Sequence, residues 1–143
     1  MKPFLFLFFC ICLGHTSTGQ DKTIQKQKFH WNGEQDTSAG YAQAVKVGNV
    51  IYISGTVATE ITPENITRLY KGLERTLKFY GASFQNVVKE NLYTTDIEAM
   101  KKMNDARKPF YKGDYPAATW VEIKRLYMPE AKLEVELVAY LSN

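Results

Sequence analysis

Cysteine is nearly missing from this chain: Cys10 and Cys12 both fall in a short apolar run at the N-terminus, and none follows. Beyond that run the sequence therefore excludes disulfides, thiolate catalysis and Cys-ligated zinc, as suits an exported protein that avoids unpaired thiols. Histidine is equally scarce, with His30 alone after the N-terminal segment, and one imidazole supports neither a metal site nor a catalytic triad. No P-loop and no dinucleotide glycine pattern occurs. No cofactor and no metal are expected. A single-signed charge excess is lacking too. The net charge of +3 is too small to argue for nucleic acid or an anionic membrane as a partner. The local basic run Lys101, Lys102, Arg107, Lys108 and Lys112 is interrupted by Asp105 and preceded by Glu98, so it reads as a solvated helix face.

What is present begins with a targeting pattern. Lys2 supplies a positive charge, Phe4 to Leu13 is apolar, and Ser17-Thr18-Gly19 resembles a small-residue cleavage site. The apolar run falls short of the ~20 residues a bilayer span requires. Residues 1–19 are thus expected to be a signal peptide, with 20–143 as a single mature domain, exported to the periplasm or secreted and free of the membrane after cleavage. The mature length suits one core and is too short for two.

Local signals order the rest. Thr23 to Trp31 alternates loosely as a first strand, and Asn32 to Ala39 reads as a loop. Tyr41 to Val47 and Val50 to Ser54 are apolar-rich runs joined by Gly48-Asn49, which predicts a hairpin. Thr62-Pro63-Glu64 opens a helix whose apolar face runs through Ile66, Leu69, Tyr70, Leu73, Leu77 and Tyr80 to a stop at Gly81. Val87 to Thr95 reads as a strand, and Asp96 caps a second helix carrying Ile97, Met100, Met103 and Phe110. Ala117 to Leu126 and Lys132 to Leu141 complete the pattern. The order is β-β-β-α-β-α-β-β, an α+β fold with a mixed sheet and two helices on one face. By parity Trp120, Val138 and Tyr140 fall on the opposite, uncovered face, which oligomerisation would bury.

Strand alternation also sets Leu133, Val135 and Leu137 toward a core and turns Glu134 and Glu136 the other way. Those carboxylates either pair with Lys124, Lys132 or Arg125 or do chemistry. In a partly dry cleft Glu134 would hold its proton toward neutrality and could shuttle it or activate water. Tyr41 is a site candidate or a packing residue.

Taken together, Gly40-Tyr41-Ala42-Gln43-Ala44-Val45, Ile53-Ser54-Gly55, Val87 to Asp96, Pro116-Ala117-Ala118-Thr119 and Leu133 to Leu137 resemble the RidA (YjgF) family across about residues 24–141. The resemblance implies a chorismate-mutase-like fold, a homotrimer with small-molecule clefts between subunits, and hydrolysis of reactive enamines and imines. It implies that Glu134 and Tyr41 are catalytic, and that Ser54, Gly55, Ala118 and Trp120 line the substrate site. Gly40 stands where a proline commonly precedes the tyrosine. At Ala118 the family normally carries an arginine that grips the substrate carboxylate as a planar fork. Lys124 and Arg125 do not replace it: Arg125 has the wrong parity, and Lys124 lies roughly 20 Å along an extended strand. The expected function is small-molecule binding in the inter-subunit clefts, with enamine or imine deamination weak or altered in range. The alternatives left open are a competent 2-iminobutanoate/2-iminopropanoate deaminase, an RNA-cleaving protein and a non-catalytic interaction module.

Overall fold

The computed structural model describes residues 23–142, and the expected signal peptide lies outside them. In chain order the elements are β1 (Gln27–Phe29), α1 (Gly33–Ser38), β2 (Ala44–Val47), β3 (Val50–Ala58), α2 (Pro63–Phe79), β4 (Val87–Thr94), α3 (Ile97–Lys102), α4 (Lys108–Tyr111), β5 (Ala117–Glu122) and β6 (Leu133–Tyr140). The strands form one sheet in the order β1-β2-β3-β6-β4-β5. Only β4 and β5 run parallel; every other neighbouring pair is antiparallel. The α+β class and the mixed sheet are as expected. Among the described residues no helix is long and apolar enough to cross a membrane.

Local chemistry explains most boundaries. The β2–β3 hairpin sets Val47 opposite Val50 and turns on Gly48, whose φ of 55° is costly for any residue with a Cβ. Thr62 caps α2 by accepting from the Asn65 amide at 3.2 Å, with Pro63 in the first turn. Asp96 caps α3 by accepting from the Ala99 amide at 2.8 Å. Ile66, Leu69, Tyr70, Leu73 and Leu77 of α2 join Ile51, Ile53, Leu92, Leu133, Val135 and Leu137 in one buried core.

Four expectations are corrected. The predicted loop at 32–39 contains α1, because the Asn32 side chain accepts from the Gln35 amide and supplies a cap. The predicted second helix is broken into α3, a short turn at Asn104–Ala106 and α4. Trp120 does not lie on the open face. In the parallel pair it sits opposite Leu92, as Ala118 sits opposite Glu90, and both β4 residues are fully buried on the helix side. There the Trp120 indole donates to Glu90 Oε1 at 3.0 Å. Glu90 also accepts from Tyr70 (2.8 Å) and Tyr111 (2.5 Å), and Arg107 Nη1 lies 3.3 Å away. Arg107, expected on a solvated face, is instead buried against this carboxylate. Val138 lies on the open face as parity requires, opposite the exposed Tyr52, and Tyr140 is exposed on that same face.

Candidate functional site

The site begins with a defect in the sheet. Ile53 pairs with Leu137, but the next pair is Thr56 with Val135. Strand β3 therefore carries one residue more than β6, a bulge at Ser54-Gly55. The bulge is stitched in place from both sides. Ser54 donates its amide to Gln43 O (2.9 Å) and its hydroxyl to Ala42 O (2.8 Å), while the buried Gln43 amide donates to Ser54 O at 3.1 Å.

Glu134 closes against that bulge. It lies on the open face of β6, opposite Val57 and Tyr93. A Cβ at residue 55 would sit 2.5 Å from Glu134 Cδ and collide with its carboxylate. Glycine here serves close approach, since its φ is not left-handed. The carboxylate is half-buried and has no hydrogen bond or ion pair among the described residues. Burial, and then the like charge of Glu136, raise its pKa above the ordinary carboxylate value. The alternative that the two glutamates pair with Lys124, Lys132 or Arg125 is not met among the described residues. Glu136 Oε1 accepts instead from Asn91 Nδ2 at 2.8 Å and the Tyr93 hydroxyl at 2.9 Å.

Tyr41 stands across the same cleft. Gly40 before it takes a φ of 81°, so the residue in the proline's place adopts a conformation proline cannot reach. The Tyr41 hydroxyl donates to Asp36 Oδ1 at 3.1 Å. Asp36 is buried, its other oxygen accepts from the Trp31 amide at 3.0 Å, and His30 Nδ1 lies 3.4 Å from it. Burial first, then the bond to Asp36 and its charge, raise the Tyr41 pKa.

Together these groups bound a cleft of about 660 Å³ lined by Glu134, Tyr41, Ser54, Gly55, Gln43, Val57, Trp31, Tyr127 and Met128, among others. Four of the six sequence candidates, Glu134, Tyr41, Ser54 and Gly55, thus meet in one place. Ala118 and Trp120 do not; they lie on β5, separated from β3 by β6 and β4. Sequence reasoning missed Asp36, Trp31, Tyr127 and Met128. Asp36 had been placed in a loop, and Tyr127 and Met128 follow a strand that stops at Glu122.

Residues 33–141 match the family model described as Endoribonuclease L-PSP. A RutC family protein of Pyrococcus abyssi is 32% identical over 109 residues, covering 70% of this chain and 85% of that protein. The human 2-iminobutanoate/2-iminopropanoate deaminase is 30% identical over 109 residues, covering 69% and 78%. Among solved structures, a YjgF/YER057c/UK114-family protein of Mycobacterium tuberculosis superposes with a TM-score of 0.74 at 23% identity, covering 82% of this chain and 100% of that one.

Proposed function

The chain belongs to the Endoribonuclease L-PSP family, also called RidA or YjgF, and from that premise we propose that it hydrolyses a small imine or enamine in clefts between the subunits of an exported homotrimer. The observation that carries the reading is Glu134, a carboxylate of raised pKa with no partner among the described residues, pressed against a glycine bulge and lining one cleft with Tyr41. Its ionised form takes a proton from water as the oxygen adds to the imine carbon. In the carbinolamine formed from the protonated imine, the resulting carboxylic acid returns that proton to nitrogen; the regenerated carboxylate then takes the hydroxyl proton as the C–N bond breaks, and the carbonyl product and ammonia leave, the ammonia carrying that proton away as ammonium. Tyr41 faces this centre with a hydroxyl already committed to Asp36, which fixes its ring.

The trimer is supported by the open sheet face. Tyr52, Val121 and Tyr140 are exposed there beside Val138, an apolar surface that a second copy would bury. By family resemblance the neighbour's β5 then brings Ala118 to the cleft, with a methyl group in place of a guanidinium, while Trp120 stays bound to Glu90 of its own subunit. Substrates that depend on a carboxylate clamp should be poor, because charge-assisted hydrogen bonds contribute roughly 1.5–3 kcal/mol each. The test is ammonia release from freshly generated 2-iminopropanoate and from imines of simple ketones, with Glu134→Gln as control. Faster release from the ketone imines, lost in Glu134→Gln, is expected. No release above buffer from any imine would leave a binding module in place of an enzyme.

A further inference from the structure

We infer that the cleft selects a positively charged nitrogen compound, a protonated amine or an iminium ion, over one bearing a carboxylate. This deepens the function proposed above and rests on the same cleft.

The lining carries one formal charge and it is negative. Among the described residues of one subunit, Glu134 is the sole ionisable carboxylate on the wall and no Lys, Arg or His lines it. Two sets of neighbouring basic groups are turned to other surfaces: Arg75 stacks on the Trp31 ring with its guanidinium carbon 4.3 Å from the centroid, and Lys26 and Lys28 line a second hollow that shares Tyr41. Glu136, the other carboxylate on this face, is supplied with donors by Asn91 and Tyr93. Glu134 has none. A half-buried carboxylate with unused acceptor sites attracts a cation and repels an anion, and both effects grow as water leaves the cleft.

Three aromatic residues complete the environment. Trp31, Tyr41 and Tyr127 contribute to the wall, and aromatic faces attract ammonium groups through their quadrupoles. One face of the Trp31 ring is already taken by Arg75, which leaves Tyr41 and Tyr127 as the rings with a face to offer. Tyr127, on the loop after β5, is 92% exposed and contributes to the lining. Three aromatic side chains and one carboxylate on the wall of the same cleft supply the groups that recognise an organic cation, and the cleft volume of about 660 Å³ is ample for one.

The test uses three probes of one size and shape on the full mature chain: benzylammonium, benzyl alcohol and benzoate, titrated while backbone amide signals of the cleft are followed by NMR. Benzylammonium should bind about tenfold or more tightly than benzoate. Glu134→Gln should reduce it to the level of benzyl alcohol while leaving benzyl alcohol unchanged, which also reports that the fold survives. Tyr127→Ala, at a surface residue whose loss does not threaten folding, should weaken benzylammonium alone. Equal or tighter benzoate binding, unchanged benzylammonium affinity in Glu134→Gln, or no binding of any probe would overturn the inference. Benzylammonium preference without ammonia release from imines would keep it and remove the hydrolytic reading; release from 2-iminopropanoate with benzoate preference would do the reverse.

Discussion

The Tyr41 hydroxyl donates to the buried Asp36 carboxylate across 3.1 Å, so the orientation of a residue on the cleft wall is set by an acid from the short helix before it. Asp36→Ala would remove the acceptor for both that hydroxyl and the Trp31 amide. Leaving such groups unpaired costs about 1–3 kcal/mol, which urea unfolding would register. The Tyr41 phenol would also ionise at lower pH, since two of the causes raising its pKa are the bond to Asp36 and the charge of Asp36. Selectively labelled tyrosine NMR, with Tyr41→Phe to assign the signal, checks this. An unchanged Tyr41 titration would show that Asp36 does not position the ring.

Gly55→Ala separates site from scaffold. The added methyl would strike the Glu134 carboxylate, and the flexible far end of that side chain can swing away. Stability should therefore change little while turnover drops by about tenfold or more, the penalty for displacing a reacting group by roughly 1 Å. Thermal unfolding measured beside ammonia release distinguishes the two effects. A full rate in a folded Gly55→Ala protein would mean that the present seat of Glu134 is not the working one.

The acid limb of the rate profile should report Glu134. Its raised pKa delays ionisation to higher pH, so the base form, and with it kcat/KM, should rise through a pH above the ordinary carboxylate range. Glu136→Gln removes the like charge that is the second cause of the shift. The limb should then move to lower pH, with the part due to burial remaining. A limb that stays in place, or moves upward, would assign it to another group.

The hairpin at Gly48 and the caps at Thr62 and Asp96 were legible in the sequence because each is decided within a few residues. Glu134, Tyr41, Ser54 and Gly55 were found through resemblance, and strand parity by itself turned Glu134 outward. Trp120 was misplaced because parity orders residues within one strand and says nothing of register between strands; its parallel pairing with Leu92 sends it under the helices. Glu90 and Arg107 were hidden for a related reason. A charged residue reads as exposed until its partners are known, and those partners lie 17 to 30 residues away along the chain.

That cluster makes its own prediction. Glu90→Gln would leave Arg107, itself buried, without its counter-charge. Breaking a buried pair by removing one partner costs about 3–5 kcal/mol. The double variant Glu90→Leu with Arg107→Met should recover much of that loss, because apolar replacement of both partners removes the uncompensated charge. Urea midpoints of the single and double variants decide the matter. If the single variant is as stable as the parent, the four groups around Glu90 are ordinary packing neighbours.

Ala118→Arg addresses the missing guanidinium directly. Residue 118 is exposed on β5, an edge strand paired only with β4, so a long side chain is accommodated without displacing the core. Glu90 is its register partner, but that carboxylate already has donors from two tyrosines, Trp120 and Arg107, which leaves a new guanidinium free to face outward. If neighbouring subunits close the cleft, the variant brings a planar cation opposite Glu134, and ammonia release from 2-iminopropanoate should rise by about tenfold to a hundredfold. Benzoate should gain on benzylammonium in the same protein. An unchanged rate in a variant that sediments as a trimer would mean that β5 of one copy does not meet the Glu134 cleft of the next, and the inter-subunit site would have to be abandoned.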